Sequence, residues 1–192
     1  MIKPAYEFPA DVPTKPFFEE VTAVYGGRGS GKTTKAKGLI VEQKPPQVIW
    51  IDPTLPAATT YASLRADIEG GTRLIQVGAP DPEIAIKTLH IAFGLSSKER
   101  PLYVVCDEAA TYLRSQNEMM MRIFNMGRHA GMGIMLLTQR PSGVHPNYRE
   151  QSAKTFWGRL SGSNDISLAA SLIGQKKAQT RRNAPVGDFL ED

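Results

Sequence analysis

Short apolar runs alternate with helix-like segments along most of the chain. Several of the runs are apolar on consecutive positions, as strands buried on both faces of a sheet are. The predicted strands are Thr22–Tyr25, Gln47–Ile51, Arg73–Val77, Leu102–Cys106, Gly133–Thr138 and Thr155–Leu160. The predicted helices are Lys32–Gln43, Pro82–Phe93, Ala109–Arg128 and Asp165–Ile173, the last with Ser163 or Asn164 as its N-cap. This alternation predicts an α/β fold with a mainly parallel central sheet, in which ligands bind at the carboxyl ends of the strands.

The length of 192 residues predicts a single domain over residues 1–192. A chain of this length buries roughly 70% of the surface that it exposes when unfolded. Prolines at positions 4, 9, 13 and 16 predict an extended N-terminal arm over residues 1–20. No apolar run is long enough to span a bilayer, and the N-terminus lacks the layout of a signal peptide. We therefore expect a cytoplasmic protein without an intrinsic membrane segment.

Cysteine usage and charge add little to this picture. The single cysteine, Cys106, lies inside the apolar run LYVVCDEA and is interpreted as a small buried hydrophobe. A net charge of +4 favours an anionic partner only weakly, because acidic residues are interspersed along the chain. The densest basic cluster is GQKKAQTRRN at residues 174–183. This cluster either contacts phosphates or is a plain exposed loop.

A glycine-rich segment directly follows the first predicted strand and opens the first predicted helix. Its residues are Gly26, Gly27, Arg28, Gly29, Ser30, Gly31, Lys32, Thr33 and Thr34, and they match the Walker A pattern in the context that this motif requires. The glycines let backbone N–H groups surround phosphate oxygens, and the helix N-terminus adds its positive dipole end. We expect this segment to bind ATP, with Lys32 on the β- and γ-phosphates and Thr33 on Mg²⁺.

Two carboxylates follow the strand Leu102–Cys106, as in a Walker B element. The expected role of Asp107 is to hold Mg²⁺ through its water shell, and that of Glu108 is to orient and polarise the attacking water. A structural alternative is that both residues only cap the following helix.

The strand Gly133–Thr138 ends in the polar residues Gln139 and Arg140. If this strand lies beside the Walker B strand, Gln139 is placed next to the γ-phosphate, where its amide can sense hydrolysis and contact the lytic water. Two further predicted strands fall between the Walker A and Walker B strands along the chain. This order favours a three-layer RecA-like P-loop NTPase of the ASCE class over a small-molecule kinase.

Together these motifs resemble the FtsK/HerA superfamily of ring-forming DNA-pumping ATPases. The resemblance rests on GRHAGMGIMLLTQRPS at 127–142, FWGRLSGSND at 156–165 and PVGDFL at 185–190. It extends from about Thr22 to the C-terminus. The sequence shows neither the membrane helices nor the DNA-reading domain of cell-division translocases. It is most similar to the genome-packaging ATPases of membrane-containing icosahedral viruses.

The resemblance implies a motor that hydrolyses ATP to pump double-stranded DNA into a capsid. Such motors work as homo-oligomeric rings, usually hexamers, and a portal or membrane vertex protein is an implied partner. An arginine from the neighbouring subunit then acts at the nucleotide; Arg128 is the first candidate, followed by Arg140 and Arg159. The cluster at 174–183 and the segment Arg114–Asn117 are candidates for DNA contact.

Three other functions remain open at this stage. The first is a phage assembly ATPase that extrudes virions, although such proteins normally carry a membrane segment. The second is a nucleotide-dependent switch that hydrolyses slowly and does not act on DNA. The third is a small-molecule kinase with Thr180–Asn183 as a phosphate-gripping lid.

Overall fold

Seven strands form one sheet in a computed structural model that describes residues 17–192. The strands are β1 (Val21–Tyr25), β2 (Val48–Asp52), β3 (Leu74–Gly78), β4 (Leu102–Cys106), β5 (Met132–Thr138), β6 (Ser152–Trp157) and β7 (Leu190–Glu191). The helices are α1 (Lys32–Gln43), α2 (Tyr61–Glu69), α3 (Pro82–Leu95), α4 (Glu118–Met126), α5 (Pro146–Arg149), α6 (Ser163–Ile173) and α7 (Gln175–Thr180). All six predicted strands are present, with ends shifted by no more than a few residues.

The order of strands across the sheet is β3-β2-β4-β5-β1-β6-β7. All neighbours are parallel except β7, which runs antiparallel to β6. Strand β5 therefore separates β1, which precedes the glycine-rich segment, from β4, which precedes the two carboxylates. The predicted fold class, a RecA-like arrangement with a mainly parallel sheet, is confirmed.

Helices cover both faces of the sheet. On one face α1 contributes Ala36 and Leu39 to a cluster with apolar side chains from five of the strands. On the other face α2, α3, α4 and α6 pack against a larger cluster. Cys106 belongs to that cluster, and burial raises the pKa of its thiol to about 12. The interpretation of Cys106 as a small buried hydrophobe is confirmed.

The prediction of one helix over Ala109–Arg128 is wrong. A single 3-10 turn at Ala109–Thr111 is followed by an irregular segment, and α4 begins only at Glu118. The side chain of Asn117 caps α4 by accepting a hydrogen bond from the Met120 amide at 3.1 Å. A polar residue that bonds to the following backbone favours a helix start over a helix interior, so Asn117 divides the segment.

Other parts of the helix prediction also differ from the structure. The N-cap of α6 is Gly162, not Ser163 or Asn164. The periodicity missed α2, whose N-cap Thr60 accepts a hydrogen bond from the Ser63 amide. It also missed α7, which occupies most of the basic cluster at 174–183, so that this cluster is not a plain loop.

The predicted arm over residues 1–20 is only partly testable, because residues 1–16 lie outside the described residues. Its last part is not extended, since Phe17–Glu19 form a 3-10 turn. The Phe18 ring packs edge-on against Tyr103, with 6.5 Å between ring centroids. Glu19 accepts a hydrogen bond from the Lys98 ammonium at 2.8 Å. These contacts fix the chain against the amino end of the sheet.

From residue 17 to residue 192, no helix is long and apolar enough to cross a membrane.

Gly133 on β5 lies under the Phe17–Glu19 turn, and a Cβ there would sit 1.3 Å from the Phe18 carbonyl oxygen. We expect Gly133→Ala to lower the free energy of unfolding by roughly 1–3 kcal/mol, because the backbone above it has to move. Chemical denaturation measures the change. The control is Gly38→Ala in α1, where a Cβ meets nothing within 4 Å.

Gly38→Ala should instead raise stability by roughly 0.5–1 kcal/mol, because alanine is the better helix former. Equal effects at the two positions would contradict the packing described at Gly133.

Candidate nucleotide site

The glycine-rich segment forms a tight loop between β1 and α1. Gly31, the N-cap of α1, has φ of +93°, a left-handed conformation that glycine adopts without strain. A Cβ at Gly31 would also lie 3.3 Å from the Gly187 nitrogen. Both constraints select glycine at this position.

The amides of the loop divide into two groups. The Gly26 amide donates to the Thr138 carbonyl at 3.2 Å, and the Gly27 amide donates to the Arg159 carbonyl at 2.6 Å. These two amides therefore anchor the loop to the strands on either side. The first helical bond of α1 runs from the Lys35 amide to Gly31, so the amides of residues 32–34 have no partner within the helix. They are the donors that this loop offers to an anion.

Lys32 is folded back over the loop. Its side chain is buried, and its ammonium donates to the Gly27 carbonyl at 3.3 Å. Burial lowers the Lys32 pKa, whereas the nearby Glu108 and Asp107 charges raise it. Nothing else in the described structure pairs with this ammonium, so it is available to phosphate oxygens.

A turn at residues 185–188 covers one side of the loop. The Gly187 amide donates to the Ser30 carbonyl at 3.0 Å, and Val186 beside it is 64% exposed. Arg181 holds this turn in place: its guanidinium is buried, lies 3.3 Å from the Asp188 carboxylate and donates to the Trp157 carbonyl. The sequence indicated a closing turn at these residues, but nothing in it predicted the contact of this turn with the glycine-rich loop.

Asp107 lies at the carboxyl end of β4 in a polar setting. Its Oδ1 accepts from the Glu108 amide at 2.9 Å, and its Oδ2 accepts from the Trp50 indole at 3.3 Å. Burial raises the Asp107 pKa and outweighs these two hydrogen bonds, with the Asp52 and Glu108 charges adding to the rise. A cation at this carboxylate would offset the cost of its burial.

A cleft of about 690 Å³ brings Asp107 together with Thr33, Asp52 and Trp50. A threonine hydroxyl and a carboxylate at one cleft are the hard oxygen ligands that Mg²⁺ takes in P-loop sites, where phosphates and waters complete the shell. Among the described residues no group of three or more His, Cys, Asp or Glu side chains could hold a metal by itself. The residues present therefore fit a magnesium ion that arrives with a nucleotide. Asp52 was not singled out from the sequence, although it also ends a buried strand.

Glu108 and Gln139 are bonded to each other. The Gln139 amide nitrogen donates to Glu108 Oε1 at 2.5 Å, across the carboxyl ends of the neighbouring strands β4 and β5. Gln139 also lines a second cleft with Gly27 and Arg28 of the loop. The structure thus brings together the two polar residues that the sequence placed after different strands.

The backbone of Glu108 is strained. Its φ is +44°, and among the described non-glycine residues only Lys44, which caps the end of α1, shares a positive φ. A left-handed conformation costs an L-residue with a Cβ roughly 1–2 kcal/mol. Such strain persists where the surroundings enforce it, and it clusters at functional sites.

The three candidate arginines fall at two different places. Arg140 and Arg159 lie beside the glycine-rich loop of their own chain, Arg140 in the second cleft and Arg159 through its backbone bond to Gly27. Arg128 lies before β5, at the amino edge of the sheet, and its side chain is exposed. Seven residues of strand separate Arg128 from Gln139, which corresponds to roughly 20 Å.

The candidate residues for DNA contact differ in their exposure. Lys176, Lys177 and Arg182 are exposed on or beside α7, whereas the buried Arg181 supports the closing turn. In the segment 114–117, Arg114 is exposed while Asn117 caps α4.

Comparison with solved structures supports the fold independently. The chain is similar to the DNA-packaging ATPase B204 from Sulfolobus turreted icosahedral virus, with a TM-score of 0.74, 18% identity and 93% of each chain covered. It is also similar to the genome-packaging NTPase B204 from Sulfolobus turreted icosahedral virus 2 in complex with ATP-gammaS, with a TM-score of 0.74, 18% identity and coverage of 91% and 92%. The cytoplasmic domain of the Thermomonospora curvata Type VII secretion ATPase EccC matches at a TM-score of 0.61 and 14% identity, over 90% of this chain and 24% of that chain.

These structural neighbours agree with the resemblance drawn from the motifs. At identities of 14–18% the likeness establishes the shared fold. No protein-family model and no curated protein match the sequence.

Because the backbone of Glu108 is strained, we expect glycine to be more stable than alanine at this position, the reverse of their order inside a helix. We expect Glu108→Gly to be more stable than Glu108→Ala by roughly 1–2 kcal/mol, because glycine adopts a positive φ without steric cost. Both variants lose the bond to Gln139, so their difference isolates the backbone term. Chemical denaturation of the two variants measures it.

The control is the same pair of substitutions at Lys37, an exposed position inside α1. There alanine should be more stable than glycine by roughly 1 kcal/mol. An alanine advantage at position 108 as well would contradict the left-handed backbone.

Proposed function

We propose that this chain is an ATP-hydrolysing motor that translocates double-stranded DNA as a homo-oligomeric ring and packages a viral genome. The observation that carries the proposal is the Glu108–Gln139 pair beside the glycine-rich loop. A switch that only binds nucleotide needs the loop and Lys32. A carboxylate held in a strained backbone beside Lys32 and Asp107 supplies in addition a group that can activate water.

Each residue has a distinct part in the hydrolysis. The loop amides and Lys32 bind the phosphates of ATP, with Lys32 stabilising the charge that develops on the transferred phosphoryl group. Thr33 and Asp107 would hold Mg²⁺, which supplies further neutralisation of phosphate charge when bound. Glu108 orients a water for in-line attack and accepts its proton.

Gln139 connects this chemistry to the rest of the fold. Its amide binds the Glu108 carboxylate, and the backbone continues into the turn Pro141–Gly143. In that turn the Ser142 amide and hydroxyl both donate to Asp165 Oδ1, at 3.0 and 2.7 Å. A change at Glu108 during hydrolysis can therefore reach α6 through two hydrogen-bonded steps.

Assembly into a ring would complete the site with an arginine. Arg128 is too far from the loop of its own chain to touch the nucleotide there, so a role for it requires a neighbouring subunit. Arg140 and Arg159 lie near their own loop and suit a role within the chain or at the same interface. We propose a ring of identical subunits with Arg128 as the residue supplied in trans. The ring is proposed to be hexameric, as is usual in the FtsK/HerA superfamily that the sequence resembles.

Double-stranded DNA is the proposed cargo. The exposed Lys176, Lys177 and Arg182 form a basic surface on and beside α7, which packs against α6. Contacts of this kind bind the phosphate backbone without reading sequence and weaken with salt. The similarity to B204 over nearly the full length of both chains supports packaging, with a portal or membrane vertex protein as partner and the host cytoplasm as location.

An alternative cargo has a specific observation in its favour. The fold is also similar to that of EccC, which is named as a secretion ATPase, so the fold alone does not identify the cargo. An assembly ATPase that extrudes virions and a switch that does not act on DNA are therefore the rival functions that the experiment has to separate.

The first experiment measures ATP hydrolysis with and without double-stranded DNA, at low and moderate salt. We expect DNA to stimulate hydrolysis, with less stimulation at higher salt. Glu108→Gln should lower hydrolysis by roughly 10²–10⁴-fold while nucleotide binding is retained, because only the water-activating group is lost. Glu99→Gln, at an exposed loop position, is the matched control and should leave the rate unchanged.

Hydrolysis that is indifferent to DNA at every salt and protein concentration would overturn the DNA motor and favour the assembly or switch functions. Hydrolysis that survives in Glu108→Gln would refute the role given to Glu108.

A mixing experiment tests Arg128. Arg128→Ala and Glu108→Gln should each be inactive, but an equimolar mixture should regain activity if the arginine acts in trans. In the mixture, an interface is complete when the intact Glu108 of the Arg128→Ala variant meets the intact Arg128 of the Glu108→Gln variant. Random assembly of a head-to-tail ring makes about a quarter of its interfaces complete in this way. Hydrolysis by the mixture, measured against each variant alone, gives the answer. A mixture as inactive as its components would exclude the trans role.

A further inference from the structure

One side chain beside the proposed magnesium ligand has no role in the proposed hydrolysis. Trp50 on β2 belongs to the apolar cluster under α1 and is 8% exposed. Its indole nitrogen donates to Asp107 Oδ2 at 3.3 Å. The ring also lines the cleft that contains Thr33 and Asp107. Trp50 therefore reaches the carboxylate from β2, the strand on the far side of β4 from the glycine-rich loop.

The register of the sheet explains how this bond forms. Trp50 pairs with Val105 of β4, and side chains alternate between the two faces of a sheet. Asp107 comes two residues after Val105 and so lies on the same face as Trp50. Diagonal neighbours of this kind are about 7–8 Å apart, a distance that an aromatic side chain spans. The Asp107 amide also donates to the Ile51 carbonyl at 3.0 Å, so its backbone is fixed to β2 as well.

A second carboxylate lies opposite Asp107. Asp52, the last residue of β2, comes level with Asp107 when the β2–β4 register is continued by one position, and both side chains line the cleft. Like charges that face each other across two strands repel. The Thr54 amide and hydroxyl hold Asp52 Oδ1, at 2.8 and 2.6 Å. Without the Trp50 bond, only the Glu108 amide would hold the Asp107 carboxylate against this repulsion.

The two donors leave Asp107 able to accept further hydrogen bonds. An ionised carboxylate offers about four lone-pair sites, and the Glu108 amide and the Trp50 indole use one on each oxygen. The two bonds thus restrict the rotation of the carboxylate while acceptor sites remain for the water shell of Mg²⁺. Because Mg²⁺ requires nearly ideal octahedral geometry, losing a group that orients one of its carboxylates typically lowers metal affinity by about 10–100-fold.

We infer that Trp50 is a positioning residue of the nucleotide site, whose indole N–H fixes the orientation in which the Asp107 carboxylate meets nucleotide-bound Mg²⁺. Trp50 acts through Asp107 and not by contact with the reacting atoms. The inference rests on the proposed function, because it requires ATP and Mg²⁺ at this site.

Trp157, the only other tryptophan of the chain, provides a matched control. It is buried on β6 in the other apolar cluster, and its indole nitrogen has no hydrogen-bond partner among residues 17–192. Trp157→Phe therefore shortens a buried tryptophan of the same sheet without removing a hydrogen bond that the structure shows. Trp50→Phe, by contrast, removes the bond to Asp107.

The first measurement is the affinity of the chain for ATP-gammaS by calorimetry, with excess Mg²⁺ and with EDTA. In the parent we expect Mg²⁺ to tighten binding. Trp50→Phe should reduce this Mg²⁺-dependent gain by about tenfold, because one hydrogen bond to a charged group is lost. Its affinity in EDTA should match that of the parent, because Lys32 and the loop amides still bind the phosphates. Trp157→Phe should leave the gain unchanged.

A double-mutant cycle tests whether Trp50 acts through Asp107. Asp107→Asn should itself lose most of the Mg²⁺-dependent gain, because the negative charge is removed. Adding Trp50→Phe to Asp107→Asn should then change the gain by less than about twofold. A packing role of Trp50 that is independent of Asp107 would instead add its own effect in both backgrounds.

Tryptophan emission gives a readout that does not depend on activity. Trp157→Phe leaves Trp50 as the only tryptophan of the chain. With ATP-gammaS bound, Mg²⁺ should produce a saturable change of the Trp50 emission, because the carboxylate that accepts from its indole N–H gains a cation. The Trp50→Phe variant, in which Trp157 is the only tryptophan, should show no such change.

The outcomes separate this inference from the proposed function. A parent that does not bind ATP-gammaS with or without Mg²⁺ would overturn the proposed function. A parent that gains no affinity from Mg²⁺ would overturn the role given to Asp107, and the inference with it. If the parent gains affinity from Mg²⁺ but Trp50→Phe keeps the whole gain, or loses no more of it than Trp157→Phe, the positioning role alone is wrong.

Discussion

The position of β5 in the middle of the sheet is the constraint on which the candidate site depends. All seven of its residues are buried, and it pairs in parallel with β1 on one side and β4 on the other. Parallel strands end at the same edge, so this arrangement delivers the glycine-rich loop, Gln139 and the two carboxylates to one place. The Gly26 amide bonds to the last residue of β5, which ties the loop to the strand that carries Gln139.

Most of this arrangement could be predicted from the sequence because it rests on local patterns. Buried parallel strands are continuous apolar runs, and the motif at residues 26–34 has its own signature. The prediction of helices failed where a helix cap or a short helix interrupts the apolar periodicity. Asn117 divides a segment that periodicity treats as one helix, and α2 and α7 are too short to show a clear apolar stripe.

Part of the site itself could not be predicted because it rests on bonds between residues that are distant in sequence. Asp165 lies in the first turn of α6, as expected, but the bond of its buried carboxylate to Ser142, 23 residues away, was not predicted. The bond from Gly187 to the loop joins residues that are more than 150 positions apart. The local sequence around neither residue predicts this bond. The left-handed backbone of Glu108 could not be predicted from the sequence either, because glutamate is not a residue that indicates a positive φ.

The carboxylates of the nucleotide site are held in place by hydrogen bonds from their own chain. At the nucleotide site each carboxylate already has protein donors: Trp50 and the Glu108 amide for Asp107, and Gln139 for Glu108. This pre-arrangement lets the groups act on a nucleotide without reorganising, which is the condition for electrostatic stabilisation of a transition state.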